Sequence, residues 1–463
     1  MIEARSEPQS GDLTRIIKNA LDTLWNSRTS HSESWSAIGV FAIRAASAGL
    51  LFLTQIVLAR WMGASEFGLY VSAWTCVLVV GGISHLGFNV AMMRLAPQYH
   101  ANADYAAFRG LLNGGRLIAI ASAATIAGIG LAGLWIASSQ SGSALAVPMA
   151  LALLCLPLYA LTDVQDGLGR GQGWTIEAIG PPYIARPLVL LLLVGLVSMA
   201  GYAANAVTGM TIALTATLTA AVVQTVLIER RVEKSVPAIA PTYDFSKWLK
   251  ISLPLLAGGI CDLVIQNADV LMLNLFRPSS EIGIYYAAAK TAGLALFVHY
   301  AVGSAYAGRI AAARALGDDA AVRHLVGNAV RWTFIPSAAV TVGILLVGYP
   351  VLASFGAGFT DAYPLMFILA IGILAKSATG PADTILNMLG HQRASALSIA
   401  LAATLCVTLN LILIPLWSVA GAAIATASAV TAASAFNWYA ARRLEGLNLF
   451  ILANIKQPEA APR

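Results

Sequence analysis

SEFGLY at residues 65–70 and SEIGIY at residues 280–285 are one pattern written twice, 215 positions apart. In each copy Ser-Glu is followed by apolar-Gly-apolar-Tyr, and each copy closes one long apolar run and opens the next. A corner repeated at half-chain distance, between runs of the same kind, marks an internal duplication and sets the frame for the rest of the chain.

Outward from the corners the chain is mostly apolar. Of 463 residues, 58% are hydrophobic and 11% charged, against roughly 25% charged in a soluble domain. A globule in water could not cover that much hydrocarbon. Apolar runs fall at 36–59, 69–93, 117–137, 147–168, 183–200, 204–228, 249–275, 283–307, 332–354, 363–389, 394–415 and 418–441. Each is long enough to cross ~30 Å of lipid as a helix, the form that satisfies its own backbone there. The expected fold class is an all-α polytopic membrane protein with about 12 transmembrane helices. Cys76, Cys155, Cys261 and Cys406 all lie inside apolar runs, without CxxC or a neighbouring His. They read as small buried hydrophobes rather than disulfide or metal ligands, and no metal site is expected.

With the N-terminus in the cytoplasm, 23 of the 28 Lys and Arg fall in inside segments and only Arg60 and Arg277 fall outside. That alternation is the positive-inside pattern. It accounts for the net charge of +6 without a nucleic-acid partner. It places both corners outside, six spans apart, so the halves share one orientation and form a parallel repeat. A weaker echo joins DGLGR at 166–170 to NMLGH at 387–391. The expected organisation is a cytoplasmic tail, 1–35; a six-helix bundle, 36–228; a cytoplasmic linker, 229–248; a second six-helix bundle, 249–441; and a cytoplasmic tail, 442–463. A central cleft is expected between the bundles. In the first tail no secretory signal is present, and Leu13, Ile16, Ile17, Leu21 and Leu24 recur near helical spacing, as in a surface amphipathic helix.

Ionisable groups within hydrocarbon are costly and mark function by default. Here they gather on few spans. Span seven carries Asp262, Gln266 and Asp269 at i, i+4 and i+7, on one helix face. Span ten carries Lys376, Asp383 and Asn387 around Gly380-Pro381, a sequence that kinks a helix. Span one adds Arg44, with Ser47 one turn on. Span two adds His85 and Asn89; span eight adds Lys290, His299 and Ser304; span four ends in Asp163 and Asp166. At the 215 offset Ser47 maps onto Asp262 and Thr54 onto Asp269, so the polar faces of spans one and seven correspond. Arg44, Lys290 and Lys376 are the candidate cations for an anionic substrate. Asp262, Gln266, Asp269, Asp383, Asn387, His85 and Asn89 are the candidate polar face or ion-coupling groups. The competing reading is a set of ion pairs that only hold helices together. In detail, Lys290 can snorkel to the outer surface, the two histidines can be packing residues, and Asp163 and Asp166 can cap the helix end.

No GxxxxGK[ST], GxSxG or HExxH occurs, so neither a P-loop nor a hydrolase site is expected. The outside loops are too short to hold paired acids for glycosyl transfer. Transport rather than catalysis remains, with no cofactor beyond H⁺ or Na⁺ coupling.

VLARWMGASEFGLY at 57–70 and NADVLMLNLFRPSSEIGIYYAAAK at 267–290 resemble the polysaccharide-export flippases of the Wzx type. These belong to the MOP superfamily, with the MATE antiporters and the lipid II flippase. The resemblance covers about 36–442. It implies an inner-membrane flippase moving undecaprenyl-diphosphate-linked oligosaccharide from the cytoplasmic to the periplasmic leaflet by alternating access, for O-antigen, capsule or exopolysaccharide biosynthesis. Its implied partners are that lipid-linked glycan, the bilayer and other polysaccharide-assembly proteins. The alternatives are an ion-coupled, MATE-like small-molecule antiporter and, less favoured, a membrane polymerase or glycosyltransferase. The corners themselves read as structural: Glu opening and capping a helix, Gly allowing close approach, Tyr anchoring at the interface.

Overall fold

The computed structural model describes residues 11–141 and 143–454, with side chains from 47–137 and 143–454. The chain falls into two units, Met1–Gly49 and Leu50–Arg463, and the second holds the packed helices of both halves. The expected tail 1–35 is helical from Gly11 as part of α1, while residues 1–10, the side chains of residues 11–46 (Arg44 among them) and the tail from residue 455 lie outside the described residues.

Helix α1 (Gly11–Ser84) breaks at Gly63, where φ is 77° and ψ is 169°. There follow α2 (Phe88–Ala101), α3 (Tyr105–Ser141), α4 (Ala146–Gly171), α5 (Thr175–Met199) and α6 (Ala206–Ser235). The second half runs α7 (Phe245–Phe276), α8 (Ser279–Gly293), α9 (Leu296–Ala315), α10 (Asp319–Phe355), α11 (Phe359–Met388), α12 (Gln392–Glu445) and α13 (Ile451–Asn454). No strand occurs among the described residues. Nine of the described helices are long and apolar enough to cross a membrane. Two of them hold two crossings each: α1 turns at Gly63, and α12 turns at Trp417 and Ser418. Helices α8 and α9 form one further crossing, interrupted at Leu294-Ala295. About twelve crossings are thus present, as the apolar runs require, and the chain is a multi-pass membrane protein.

Helices pack mainly within their own half. In the first, α4 lies against α2, α3 and α6; in the second, α11 and α12 lie against each other, with α10 on α11 and α7 on α12. Helix α7 is shared. Its first turns are seated in the first half, where the Trp248 indole N–H donates to Tyr99 Oη at 3.2 Å and its ring meets Phe245 edge-on. Its last turns pack on α12 of the second half. The segment expected as a linker, 229–248, is mostly helix: α6 continues to Ser235 and α7 starts at Phe245. The non-helical remainder is strapped to α3. Arg109 donates to the carbonyls of Pro237 and Val236 at 2.8 and 3.1 Å, and the Thr242 N–H donates to the Ala106 carbonyl at 3.0 Å.

The two corners meet. The hydroxyls of Ser65 and Ser279 are 3.1 Å apart. A Cβ on Gly68 would overlap the Ser279 carbonyl, and a Cβ on Gly283 would press on Ala64 and Gly68. Each glycine therefore lets its helix approach the other corner's backbone. Phe67 is wedged between Tyr286 and Phe359, with ring centroids 6.1 and 6.0 Å away. Each corner glutamate ties its helix to the last crossing of its own half: Glu66 accepts the Ala206 N–H at 2.8 Å, and Glu281 accepts the Ser418 hydroxyl. Two expectations are corrected here. The glutamate side chains bind at the start of another crossing rather than of their own. The tyrosines are not interface anchors, because Tyr70 is 2% and Tyr285 0% exposed. Each is packed inside its own half, Tyr70 beside Gly209 of α6 and Tyr285 on Asp269 of α7.

Candidate functional site

Groups of buried polar residues occur in both halves, on helices related by the repeat. In the first half α1 ends at Ser84, and the chain turns through Leu86 and Gly87, both at positive φ. Gly87 is needed there, since a Cβ would overlap the Ser252 carbonyl of α7. The turn aims His85 at α4. The Gly87 N–H donates to His85 Nδ1 at 3.2 Å, and His85 Nε2 lies 2.8 Å from Asp163 Oδ2. Asn89 Nδ2 donates to the same oxygen at 3.1 Å. Asp163 is thus a hub within the half, not the helix cap that its position suggested. Asp166 pairs with Arg170 at 2.6 Å. Arg116 pairs with Glu229 and donates to Gln165 at 2.8 Å.

In the second half, α11 breaks at Thr379-Gly380-Pro381, as Gly380-Pro381 predicts, with Gly380 at φ 61°. Lys376 ends the first segment and Asp383 opens the next. The Lys376 ammonium stands over the Tyr300 ring, 5.8 Å from its centroid. It is close enough to Asp262 and Asp383 to act on both charges. His299 Nε2 is 3.7 Å from Asp383 Oδ1. Asp262 and Gln266 are exposed and Asp383 and Asn387 half-buried, so this end of α7 and α11 faces open space.

Asp269 departs from its expected neighbours. It shares the helix face of Asp262 and Gln266, but α8 and α12 cover that face towards the corner end. Asp269 is 6% exposed, accepting from Tyr285 Oη at 2.6 Å and from the Val270 N–H at 2.8 Å. Lys290 lies near it and over the Tyr286 ring at 5.0 Å, held by an aromatic face instead of reaching outward. The structure therefore brings Asp262, Lys376 and Asp383 together, sets Asp269 and Lys290 apart in a packed layer, and places His85 and Asn89 on Asp163.

Sequence reading missed Arg186. Its guanidinium lies 5.0 Å from the Trp74 ring centroid, within a crossing that runs Thr175–Met199. Placing that span at 183–200 left Arg186 near a cytoplasmic end. The polar stretch Thr175–Glu177 followed by the π-helical turn Pro181–Ala185 hid the early start of the helix.

This is a duplicated helical membrane protein, with ionisable groups at the crossing breaks of both halves. The polysaccharide biosynthesis protein family matches residues 36–307, and the chain belongs to it. No curated protein sequence matches the chain. Among solved structures it is similar to a multidrug resistance MATE family transporter of the MOP superfamily in its inward-facing conformation. There the TM-score is 0.69 and the identity 14%, over 91% of this chain and 100% of that one. The lipid II flippase MurJ, in an inward closed conformation, gives 0.66 and 12% over 88% and 87%. A MOP superfamily transporter from Pyrococcus furiosus, described as having a binding pocket of reverse polarity, gives 0.64 and 13% over 91% and 96%. The fold is shared with these transporters and with the flippase.

Proposed function

We propose that the chain is an inner-membrane flippase for an undecaprenyl-diphosphate-linked oligosaccharide, working by alternating access in surface polysaccharide biosynthesis. The observation that carries the reading is the Lys376 cluster. A lysine inside a membrane crossing, beside an aromatic ring and two partly exposed carboxylates, offers a cation where a diphosphate needs one and water screens little. Membership of a polysaccharide biosynthesis family supports the sugar-bearing substrate. With both termini in the cytoplasm, the corner end is periplasmic. The closed corners then make this the inward-facing state, with Asp163 and Asp383 towards the cytoplasmic side of the closure. The headgroup enters between the halves while the lipid tail stays in the bilayer. The halves then rock, and the corners part.

The test is reconstitution into liposomes with the lipid-linked glycan, scoring headgroup exposure on the far leaflet. Exposure that depends on the protein and falls with Lys376→Ala supports the reading. Protein-dependent efflux of a cationic dye without headgroup exposure would instead identify an ion-coupled antiporter. Absence of both sinks the transport reading.

A further inference from the structure

The two halves carry the same residue pair, closed in one and open in the other. In the first half His85 Nδ1 accepts from the Gly87 N–H, so Nε2 bears the proton and donates to Asp163. Both nitrogens of that imidazole are engaged. In the second half, 3.7 Å separates His299 Nε2 from Asp383 Oδ1, too far for a hydrogen bond. Neither ring nitrogen of His299 has a hydrogen-bond partner, and neither has Asp383 Oδ1. Yet the imidazole is only 4% exposed, while the Asp383 side chain is 36% exposed and connects the pair to open space. A buried imidazole with two idle nitrogens implies another state of the site that uses them.

The surroundings name that state. Asp383 has two claimants, His299 from α9 and Lys376 from its own helix. Asp262 of α7 also acts on Lys376, and Tyr300 of α9 receives the ammonium on its ring. Helix α10 sets Val330 against Gly380, and its Arg331 donates to Asn328, which also meets His324. The charged groups of α12, Arg393, Arg442, Arg443 and Glu445, sit at its ends.

We propose that His299 and Asp383 form a one-proton site whose filling releases Lys376 to bind a diphosphate. The proposal rests on the flippase reading and adds the control of its anion contact. Hydronium in the cleft gives its proton to His299 Nε2 and is left as water. The new N–H then donates to Asp383 Oδ1, and the gap closes by less than about 1 Å. Asp383, now matched by a cation of its own, attracts Lys376 less, and a phosphate oxygen can pair with the ammonium instead. Proton and diphosphate bind cooperatively, so by reciprocity binding the anion draws in a proton. The His85–Asp163 pair, with no idle nitrogen, is the fixed counterpart.

The experiment is calorimetric titration of the solubilised full chain with undecaprenyl diphosphate, in two buffers of different ionisation enthalpy, near neutral pH. The proton count per bound diphosphate is compared with that of His299→Asn and His299→Gln, whose ligand titrates identically. The wild type takes up about one proton more than either variant, and its affinity rises roughly tenfold from pH 7.5 to 5.5 while theirs stays nearly flat. Equal counts in wild type and variants, or no uptake by the wild type, overturn the proton site and leave the flippase reading standing. No binding of the probe by the wild type overturns the diphosphate reading, and the proton site with it. The wild-type count is informative even if a variant fails to fold.

Discussion

Lys376 and Tyr285 show how one residue type pattern carries two different duties. Lys376 lies against an aromatic face, with two partly exposed carboxylates near enough to act on it, so its charge is available to a ligand. Lys376→Ala is expected to lower surface polysaccharide about tenfold or more at unchanged protein level, since a charge-assisted contact to phosphate is lost. Immunoblotting of surface glycan beside membrane protein level checks this. Tyr285 has a structural duty. Its hydroxyl donates to the buried Asp269 at 2.6 Å. Tyr285→Phe leaves that carboxylate short of a donor and is expected to cost about 1–3 kcal/mol, read as a lower melting temperature in detergent. The sequence placed Asp262, Gln266 and Asp269 together correctly by helical spacing. It could not tell that α8 and α12 close over only the last of them, because burial by a distant segment leaves no local signal.

Among the elements, α7 is anchored in both halves: at Trp248 and the Arg109 strap near its start, and on α12 near its end. If the halves rock, this helix must bend between its anchors. Pro254, Gly258 and Gly259 lie in that interval, and a Cβ at either glycine would meet nothing within 4 Å. Converting both glycines to Ala therefore brings no clash and favours a stiffer helix by about 1 kcal/mol per site. The expected outcome is normal level and undiminished melting temperature with several-fold slower headgroup exposure in liposomes, a split that a packing role would not produce. The crossing helices were legible as apolar runs, and the α11 break was legible in Gly380-Pro381. The breaks at Leu86-Gly87 and Leu294-Ala295 were not. They occur without proline, and at Gly87 the cause is the close passage of α7, a tertiary contact.

For the whole molecule, the repeat was readable because identical residues at a fixed offset survive where two copies must fit each other. The cleft charges are less symmetric, and the repeat gave no warning that His85–Asp163 is closed and His299–Asp383 open. The corner contact predicts the transport cycle directly. With Ser65 and Ser279 hydroxyls 3.1 Å apart, Ser65→Cys with Ser279→Cys should cross-link under mild oxidant, stop export, and recover it on reduction. Cross-linking with undiminished export would show that the corners never part.

Gly68 packs on the Ser279–Gly283 segment and Gly283 packs on the Ala64–Gly68 segment, so the contact is isologous, the kind found across a two-fold dimer axis. A single six-helix half, made alone, therefore carries a self-complementary patch and should pair with its own copy. And a side chain gained at either glycine would meet the other corner's backbone, which no side-chain change across the axis can clear, so neither position is free to change.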